Sequence, residues 1–418
     1  MTIWSFTSLG IGSMVGAGIF ALLGQATLIA GREVFLSFLI GGVIALLSGY
    51  SFARLSARYP SRGGLIDYLA EAFPHGIFAG TLSLVYLITL IVTIAVVGKS
   101  FGAYAAQLVF GGAAGHATAT LLAVLMVLAV AFLNLVGSGA VGRAEIMLVV
   151  VKLGILILLI LASLANFSPD LLTTGRTVGI TALMQSVGLT FFAYAGFGMM
   201  ANASSSVANP QRIMPRAIFL AISMVILLYL ALALAILGNL SPEELEHHAD
   251  TAVAGAARPV LGTIGYTAVA VAGLLATISA TNATLFSILN LNSELVRRNK
   301  LPQIFARSLF KVPFGFAVSV IISLTLIVGL PLGSIANVAG ITFLITYLAV
   351  FAAHWRLRGL AGGWRGLIIL GAALMTAVMI GSAINLGREQ PSSLVLLAAT
   401  LACCAAGEWL YLRRQTGS

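Results

Sequence analysis

Two glycine-rich interruptions of long apolar segments contain the residues with the clearest chemical potential. The first runs from Gly10 to Phe20 and the second from Phe191 to Gly198. A helix broken inside hydrocarbon exposes backbone N–H and C=O groups, which are tolerated only where protein, water or a ligand satisfies them. Freed N–H groups around Gly16-Ala17-Gly18 suit a carboxylate, and freed carbonyls from Phe192 to Ala195 suit an ammonium. Together they predict a site for a zwitterion, of which an α-amino acid is the simplest.

A lysine inside an apolar segment is the third candidate. Lys152 lies about 10 residues, ~15 Å, beyond the start of its predicted span. An ammonium at that depth is costly enough to indicate a function. The alternative interpretation is a lysine that snorkels and finds any polar partner.

The composition places these residues in a bilayer. The chain has 418 residues, of which 60% are hydrophobic and 8% charged, with a mean hydropathy of +1.08. A spanning helix needs roughly 20 apolar residues, so the chain can form about a dozen spans with little left for a soluble domain. The net charge of +10 does not indicate nucleic acid, because the basic residues are scattered and form no stripe.

Hydropathy predicts an all-α integral membrane protein with twelve transmembrane helices. The predicted spans are 4–30, 34–57, 76–109, 118–137, 143–165, 180–207, 213–238, 260–292, 314–331, 333–355, 364–386 and 391–412. With both termini in the cytoplasm, 16 of the 22 basic residues lie on the inner side and 5 on the outer side. The positive-inside rule therefore predicts cytoplasmic termini.

The two interruptions fall at similar depths. Gly16 lies ~18 Å from the inner surface near Trp4, and Ala195 ~22 Å from the outer surface near Ile180. Both depths are near the middle of a ~30 Å core. They also occupy the first span of each successive group of five, which predicts a five-plus-five inverted repeat with broken helices 1 and 6. A single glycine would by contrast indicate only close helix packing.

These motifs resemble those of the amino acid–polyamine–organocation (APC) family of permeases. The resemblance rests on residues 12–20, residues 191–197, Asn209-Pro210-Gln211-Arg212, Pro215-Arg216-Ala217 and Lys152, and it covers the whole chain. It implies a leucine-transporter-type core at residues 1–355, in halves of about 1–165 and 180–355. Residues 356–418 would form two peripheral helices, 11 and 12. It also implies transport by alternating access in the inner membrane.

The resemblance also implies roles for individual residues. Ser13, Ala17 and Gly18 would bind the substrate carboxylate, and the carbonyls of Met14, Phe192 and Ala195 the amine. Phe192 would be an aromatic gate. Lys152 would replace the sodium ion of related transporters by reaching the carbonyls of Ile11 and Met14 and the hydroxyl of Ser279. The lysine could exchange a proton during the cycle, or stay charged in an exchanger or facilitator, and either mode makes sodium dependence unexpected.

Departures from the family pattern bear on the substrate. Gly198 stands where members that carry arginine-type substrates tend to have an acidic residue, and Ser205-Ser206 replaces a frequent acidic pair. A second ammonium would lack a carboxylate partner. The small apolar walls that Ala17, Ala193, Ala195 and Phe197 would form favour a neutral amino acid, with Tyr194 and Asn282 either as polar contacts or as helix packing. A polyamine or organic-amine carrier is the alternative.

Other function classes lack their motifs. The chain has no His-Glu-x-x-His, no Gly-x-Ser-x-Gly and no P-loop, so neither an enzyme nor an ATP-driven pump is expected. Consecutive His247 and His248 cannot share a helix face as metal ligands, and we read their loop as a capped, solvated helix that starts at Ser241. Adjacent Cys403 and Cys404 suit neither a disulfide nor a metal cage. No cofactor or metal is predicted, and protons are the candidate coupling ion.

Overall fold

The computed structural model describes residues 3–61, 63–74, 77–111, 115–136, 141–165, 167–172, 177–309 and 312–416. Within them, ten helical segments are long and apolar enough to cross a membrane, and Phe314–Gly329 is a shorter apolar helix. The all-α membrane architecture is therefore confirmed, whereas the count of twelve spans and the repeat stay predictions. The helices are α1 Ile3–Ala17, α2 Ile19–Ala30, α3 Val34–Arg58, α4 Leu65–Ala72, α5 Ile77–Phe110, α6 His116–Val136, α7 Val141–Ala165, α8 Ile180–Tyr194, α9 Gly198–Asn202, α10 Pro210–Leu237, α11 Pro242–His247, α12 Ala252–Arg297, α13 Phe314–Gly329, α14 Leu332–Ala361, α15 Arg365–Glu389 and α16 Pro391–Thr416.

The long helices are apolar on all sides, as a bilayer requires. Helices α5 and α14 are largely buried, whereas α6, α7 and α16 expose most of their surface. Lipid tails are as apolar as leucine, so hydropathy does not distinguish the buried helices from the exposed ones. Close packing between small residues distinguishes them. Strands β1 Ser308–Leu309 and β2 Val312–Pro313 form one short antiparallel hairpin after α12.

Both predicted helix breaks are present. Helices α1 and α2 are separated at Gly18, whose φ of −91° and ψ of −84° are not helical. Helix α8 ends at Tyr194 and passes through a tight turn, Ala195–Phe197, into the five-residue α9. The predicted span 180–207 therefore has a much shorter second half than expected. A further interruption within α12, at Gly262 with φ of 63°, lies near the start of the predicted span 260–292.

The helix contacts come in matched pairs. Helix α1 packs on α10 and on α7, and correspondingly α8 packs on α3 and on α14. Helix α7 contacts α12 and α10, while α14 contacts α5 and α3. Helix α6 packs on α12, and α13 packs on α5. Each of these pairs of contacting helices therefore has a counterpart, in which both helices lie five spans further along or further back in the chain.

Helix α15 is bound tightly to α8, the first half of the second broken helix. The Asn385 amide donates to the Gln185 side chain at 2.5 Å, and Gln185 donates to Asn337 of α14 at 3.0 Å. The Ser382 hydroxyl donates to the Met184 carbonyl at 2.9 Å. Residues predicted to be peripheral therefore hold a helix of the core.

Helices α11 and α2 meet at the opposite end of the chain's core from α4. The expected cap of α11 is present, because the Ser241 hydroxyl accepts from the Glu244 amide at 3.3 Å and the Glu244 carboxylate accepts from the Ser241 amide at 2.8 Å. Residues Ala249–Thr251, which come after α11, pack on α2, where the Gln25 side-chain amide donates to the Asp250 carboxylate at 2.7 Å.

Glu408 makes a buried ion pair between α16 and the segment after α12. Its side chain is fully buried, and one carboxylate oxygen accepts from the Lys300 ammonium at 3.0 Å. The other oxygen, Oε2, is buried without a hydrogen-bond partner. We expect Lys300→Met to lower the melting temperature of the detergent-solubilised protein, since an uncompensated buried charge costs about 3–5 kcal/mol.

The double variant Lys300→Met/Glu408→Gln should recover most of that loss. Arg32→Met, which removes the partly exposed pair with Glu33, should change stability by less than about 1 kcal/mol. Equal melting temperatures for Lys300→Met and the double variant would contradict this assignment.

Candidate functional site

The two helix breaks lie directly against each other. A Cβ added at Gly196 would sit 2.7 Å from the Met14 amide nitrogen and 2.8 Å from the Ser13 carbonyl oxygen. A Cβ added at Gly18 would sit 2.6 Å from the Ala193 oxygen and 2.7 Å from the Met14 oxygen. Backbone meets backbone at these positions because glycine has no side chain to hold the segments apart.

Gly16 allows the same closeness between α1 and α12. A Cβ there would lie 2.5 Å from the Ala276 carbonyl oxygen and 2.7 Å from the Ala280 methyl group. The predicted site residues are accordingly buried, including Ser13, Met14, Phe192, Ala193, Ala195 and Phe197. The side chain of Ala17 lies outside the described residues.

Tyrosine hydroxyls reach the carbonyls of both breaks. Tyr229 of α10 donates to the Met14 oxygen at 2.7 Å, and the Ala193 oxygen is a second acceptor at 3.3 Å. Tyr347 of α14 donates to the Ala195 oxygen. Sequence reasoning missed both residues, because each is far from its acceptor along the chain. Tyr229 is 215 positions from Met14, and Tyr347 is 152 positions from Ala195. The available signal was a buried tyrosine in the middle of a span, whose hydroxyl needs a partner.

The Phe192 carbonyl, the third predicted amine ligand, accepts from the Ala195 amide within the turn. At the first break, the Met14 oxygen also accepts from the Gly18 amide at 2.9 Å. Helix α2 begins at Gly18 without a side-chain cap. Its first amide groups are therefore the kind of donors that an anion satisfies.

Lys152 is fully buried and points at the first break. Its ammonium donates to the Gly12 carbonyl at 3.1 Å, next to the Ile11 carbonyl named in the prediction. Ser279 is also buried, on α12, which packs against α1. The lysine therefore joins α7 to the segment of α1 that precedes the break.

The aromatic side chains of the second break pack on α14 and α3. Phe192 stacks on Phe343, with ring centroids 5.1 Å apart and an interplanar angle of 22°. Phe197 makes edge contacts with Phe52 and Tyr347, each at 5.4 Å. The predicted gate is thus one half of a stacked pair in this conformation.

Three other polar candidates bond within the helix scaffold. Ser13 donates to the Leu9 carbonyl at 2.9 Å in its own helix. Tyr194 donates to the Phe38 carbonyl at 3.1 Å, and Asn282 accepts from Asn134 of α6 at 2.8 Å. For Tyr194 and Asn282 these contacts match the packing interpretation.

The charged groups near the site are few. Among the described acidic side chains, Glu408 alone is buried. It is paired with Lys300, away from the two breaks. The described residues also contain no group of three or more His, Cys, Asp or Glu side chains that could hold a metal ion. The described site therefore offers hydrogen bonds and oriented backbone dipoles.

Comparison with known proteins identifies the family to which this chain belongs. A family model described as "Amino acid permease" matches residues 1–397. The inner membrane transport protein YbaT of Escherichia coli (strain K12) is 42% identical over 400 residues, which cover 96% of this chain and 93% of that protein. The methylthioribose transporter of Bacillus subtilis (strain 168) is 25% identical over 334 residues, covering 75% of this chain and 71% of that protein. The serine/threonine exchanger SteT of the same organism is 25% identical over 369 residues, covering 85% and 82%.

The close backbone packing at the first break yields a stability test. We expect Gly16→Ala to lower the melting temperature clearly, because the new methyl group would collide with the rigid Ala276 carbonyl. Gly10→Ala is the matched control, since its closest obstacle is the sulfur of the flexible Met200 side chain at 2.4 Å. A larger loss for Gly10→Ala than for Gly16→Ala would contradict the packing at this break.

Proposed function

Because the chain belongs to the amino acid permease family, we propose that it carries small neutral amino acids across the inner membrane by alternating access. As a member of a family of transporters it is not an enzyme. The inner-membrane location is supported by its many apolar helices and by the name of the YbaT relative.

The contact between the two breaks is the observation that carries the proposal. Helix α2 starts at Gly18, which has no side chain to cap its first amide groups, while the carbonyls of Met14 and Ala193 meet at Tyr229 where the second break packs on the first. Amide groups suit a carboxylate, and carbonyls suit an ammonium. A zwitterionic amino acid has both groups on one carbon and matches this short spacing.

The tyrosines fit a site that must also exist without substrate. Buried carbonyls need donors, and Tyr229 and Tyr347 supply them in this conformation. An ammonium brings up to three N–H donors to the same oxygens. We infer that the substrate amine replaces the Tyr229 hydroxyl at Met14 when it binds.

The surroundings support a small neutral side chain. Ala193 and Ala195 leave little bulk on the second break, and the stacked Phe192 and Phe343 form an apolar wall. The buried carboxylate of the described chain, Glu408, is already paired with Lys300. A second substrate ammonium would therefore be buried without a partner, which is costly.

We infer that Lys152 supplies a positive charge where, by the family resemblance, sodium-dependent relatives bind their coupling ion, and that it either exchanges a proton during the cycle or stays charged. Its bond to the Gly12 carbonyl supports a role in holding the first break, together with the predicted partners Ile11, Met14 and Ser279. Sodium should then be dispensable. Proton symport and amino acid exchange both agree with this geometry, and transport with and without a pH gradient separates them.

We also infer the five-plus-five inverted repeat, with the core at 1–355 and helices 11 and 12 at 356–418. The matched helix contacts support it, because each maps onto another when the first five spans are exchanged for the next five. The bonds from Ser382 and Asn385 to α8 assign helix 11 a mechanical tie to the core. The distribution of basic residues supports cytoplasmic termini.

An organic-amine carrier is the alternative function. The same carbonyls could bind an amine, but the uncapped start of α2 would then have no carboxylate to bind. Competition by an amine that lacks a carboxylate separates the two functions.

Counterflow in proteoliposomes tests the proposal. Vesicles loaded with unlabelled alanine, serine, leucine, arginine or putrescine should accumulate a trace of labelled substrate only with the neutral amino acids. Accumulation should be the same in sodium and potassium buffers. Lys152→Met should abolish it, because the first break loses a bond to Gly12, whereas Lys99→Met on α5 should retain it.

Accumulation with putrescine and not with amino acids would refute the carboxylate assignment. Full activity of Lys152→Met would refute the role of the lysine and leave the zwitterion site intact.

A matched pair of tyrosine variants tests the amine position. Tyr229→Phe leaves the Met14 and Ala193 carbonyls short of a donor, which costs about 1–3 kcal/mol for a buried polar group. We expect saturating substrate to restore much of the lost melting temperature, since the ammonium supplies the missing donor.

Tyr194→Phe removes a similar bond, to the Phe38 carbonyl of α3, and leaves the bonds from Tyr229 to the Met14 and Ala193 carbonyls in place. Substrate should stabilise this control variant no more than the unmodified protein. Equal rescue of the two variants would contradict an amine position at Met14.

A further inference from the structure

A long apolar groove lies on the outer surface of the protein between α14 and α15. Its volume is about 1260 Å³, and small residues such as Ala352, Ala372, Ala373 and Ala377 contribute to its lining. These short side chains leave space, and the buried Ile368 and Phe351 also line it. The groove faces the hydrocarbon, so its natural occupant is a molecule that resides in the bilayer.

The length of the groove matches one acyl chain. On α15 the lining runs from Ile368 to Ile380, twelve residues or about 18 Å at the rise of an α-helix. One leaflet of a ~30 Å core is about 15 Å deep. The groove therefore covers one leaflet.

One end of the groove carries a positive charge. Arg356 is the charged residue of the lining, is exposed, and lies with its guanidinium 5.1 Å from the centre of the Phe73 ring. Trp355 beside it is 48% exposed, as expected for an aromatic side chain at the membrane–water interface. Among the described residues, the lining contains no carboxylate to neutralise the arginine.

The same end of the molecule is generally basic. Arg358 lies in the last turn of α14 and Arg365 begins α15, and the Tyr50 hydroxyl accepts from the Trp364 amide at 2.7 Å where α3 meets the connection between them. Arg54 lies 5.5 Å from the centre of the Tyr50 ring. Basic pockets between transmembrane helices at this surface recognise anionic lipid headgroups.

We propose that this groove binds an anionic phospholipid, with the phosphate at Arg356 and one acyl chain between α14 and α15. The arginine complements the headgroup charge, and the apolar groove beneath it takes the chain. This site is separate from the two helix breaks, so it does not depend on the substrate proposed above. Its location on α15 places a bound lipid against the helix that is bonded to α8.

Native mass spectrometry of the full chain in detergent tests the site. We expect one dioleoylphosphatidylglycerol to remain bound under conditions that remove dioleoylphosphatidylcholine. Ala373→Phe should fill the groove and weaken phosphatidylglycerol binding at least about tenfold, by blocking the acyl chain. Arg356→Gln should reduce the preference for phosphatidylglycerol about fivefold, the effect expected of one basic residue beside an anionic surface.

Two control variants match these changes in size and exposure. Ala406→Phe alters an exposed alanine on α16, and Arg388→Gln removes an exposed arginine at the other end of α15 that does not line the groove. Both should bind phosphatidylglycerol as the unmodified protein does. Ala377→Leu serves as a smaller filling change if Ala373→Phe fails to fold.

Three results would overturn the proposal. The first is equal retention of the two lipids by the unmodified protein. The second is equal binding by the groove variants and their controls. The third is a dimer that Ala373→Phe disrupts and phosphatidylglycerol does not displace, because a second copy of the chain would then occupy the groove.

Discussion

A helix that breaks inside hydrocarbon must find partners for its exposed backbone groups, and the centre of this protein is arranged around that requirement. The interruptions at Gly18 and at Ala195–Phe197 meet each other, so each supplies part of the other's surroundings. Tyr229 and Tyr347 bring hydroxyl donors from α10 and α14 to the remaining carbonyls. The glycines, the tyrosines and the helix packing at the site therefore all help to satisfy the exposed backbone groups. A ligand that offers the same hydrogen bonds can replace some of these protein donors.

Two buried charges illustrate how the chain treats ions away from water. Lys152 lies fully buried and donates to a backbone carbonyl of α1, where a helix break makes polar groups available. Glu408 is equally buried but is held by Lys300 from the segment after α12. The first charge lies in the proposed transport core, and the second ties α16 to the end of α12 that is proposed to be cytoplasmic. A buried charge in a span is therefore a reliable sign of a specific partner, but its sequence position does not reveal which partner.

Much of the fold follows from hydropathy because every span must be apolar for at least its length through the bilayer. The long apolar helices were expected on that basis, and the glycine-rich interruptions predicted the break at Gly18 and the turn at Ala195–Phe197. The short α9 and the kink at Gly262 were not, since a glycine is compatible with packing, kinks and breaks alike. The tie between α15 and α8 was also missed, because amides such as Gln185 and Asn385 carry no periodic signal of their own.

The sequence by itself determined the environment, the spans, the two candidate breaks and Lys152 as a buried charge, since each follows from local composition and the cost of polar groups in lipid. Only the tertiary structure decided which groups meet. It brought Tyr229 to Met14, Tyr347 to Ala195 and Lys152 to Gly12, and it turned Asn282 towards Asn134. The physical reason is that a hydrogen bond depends on the distance and angle between two groups, and those are set by how helices pack, whereas hydropathy depends on the chain alone.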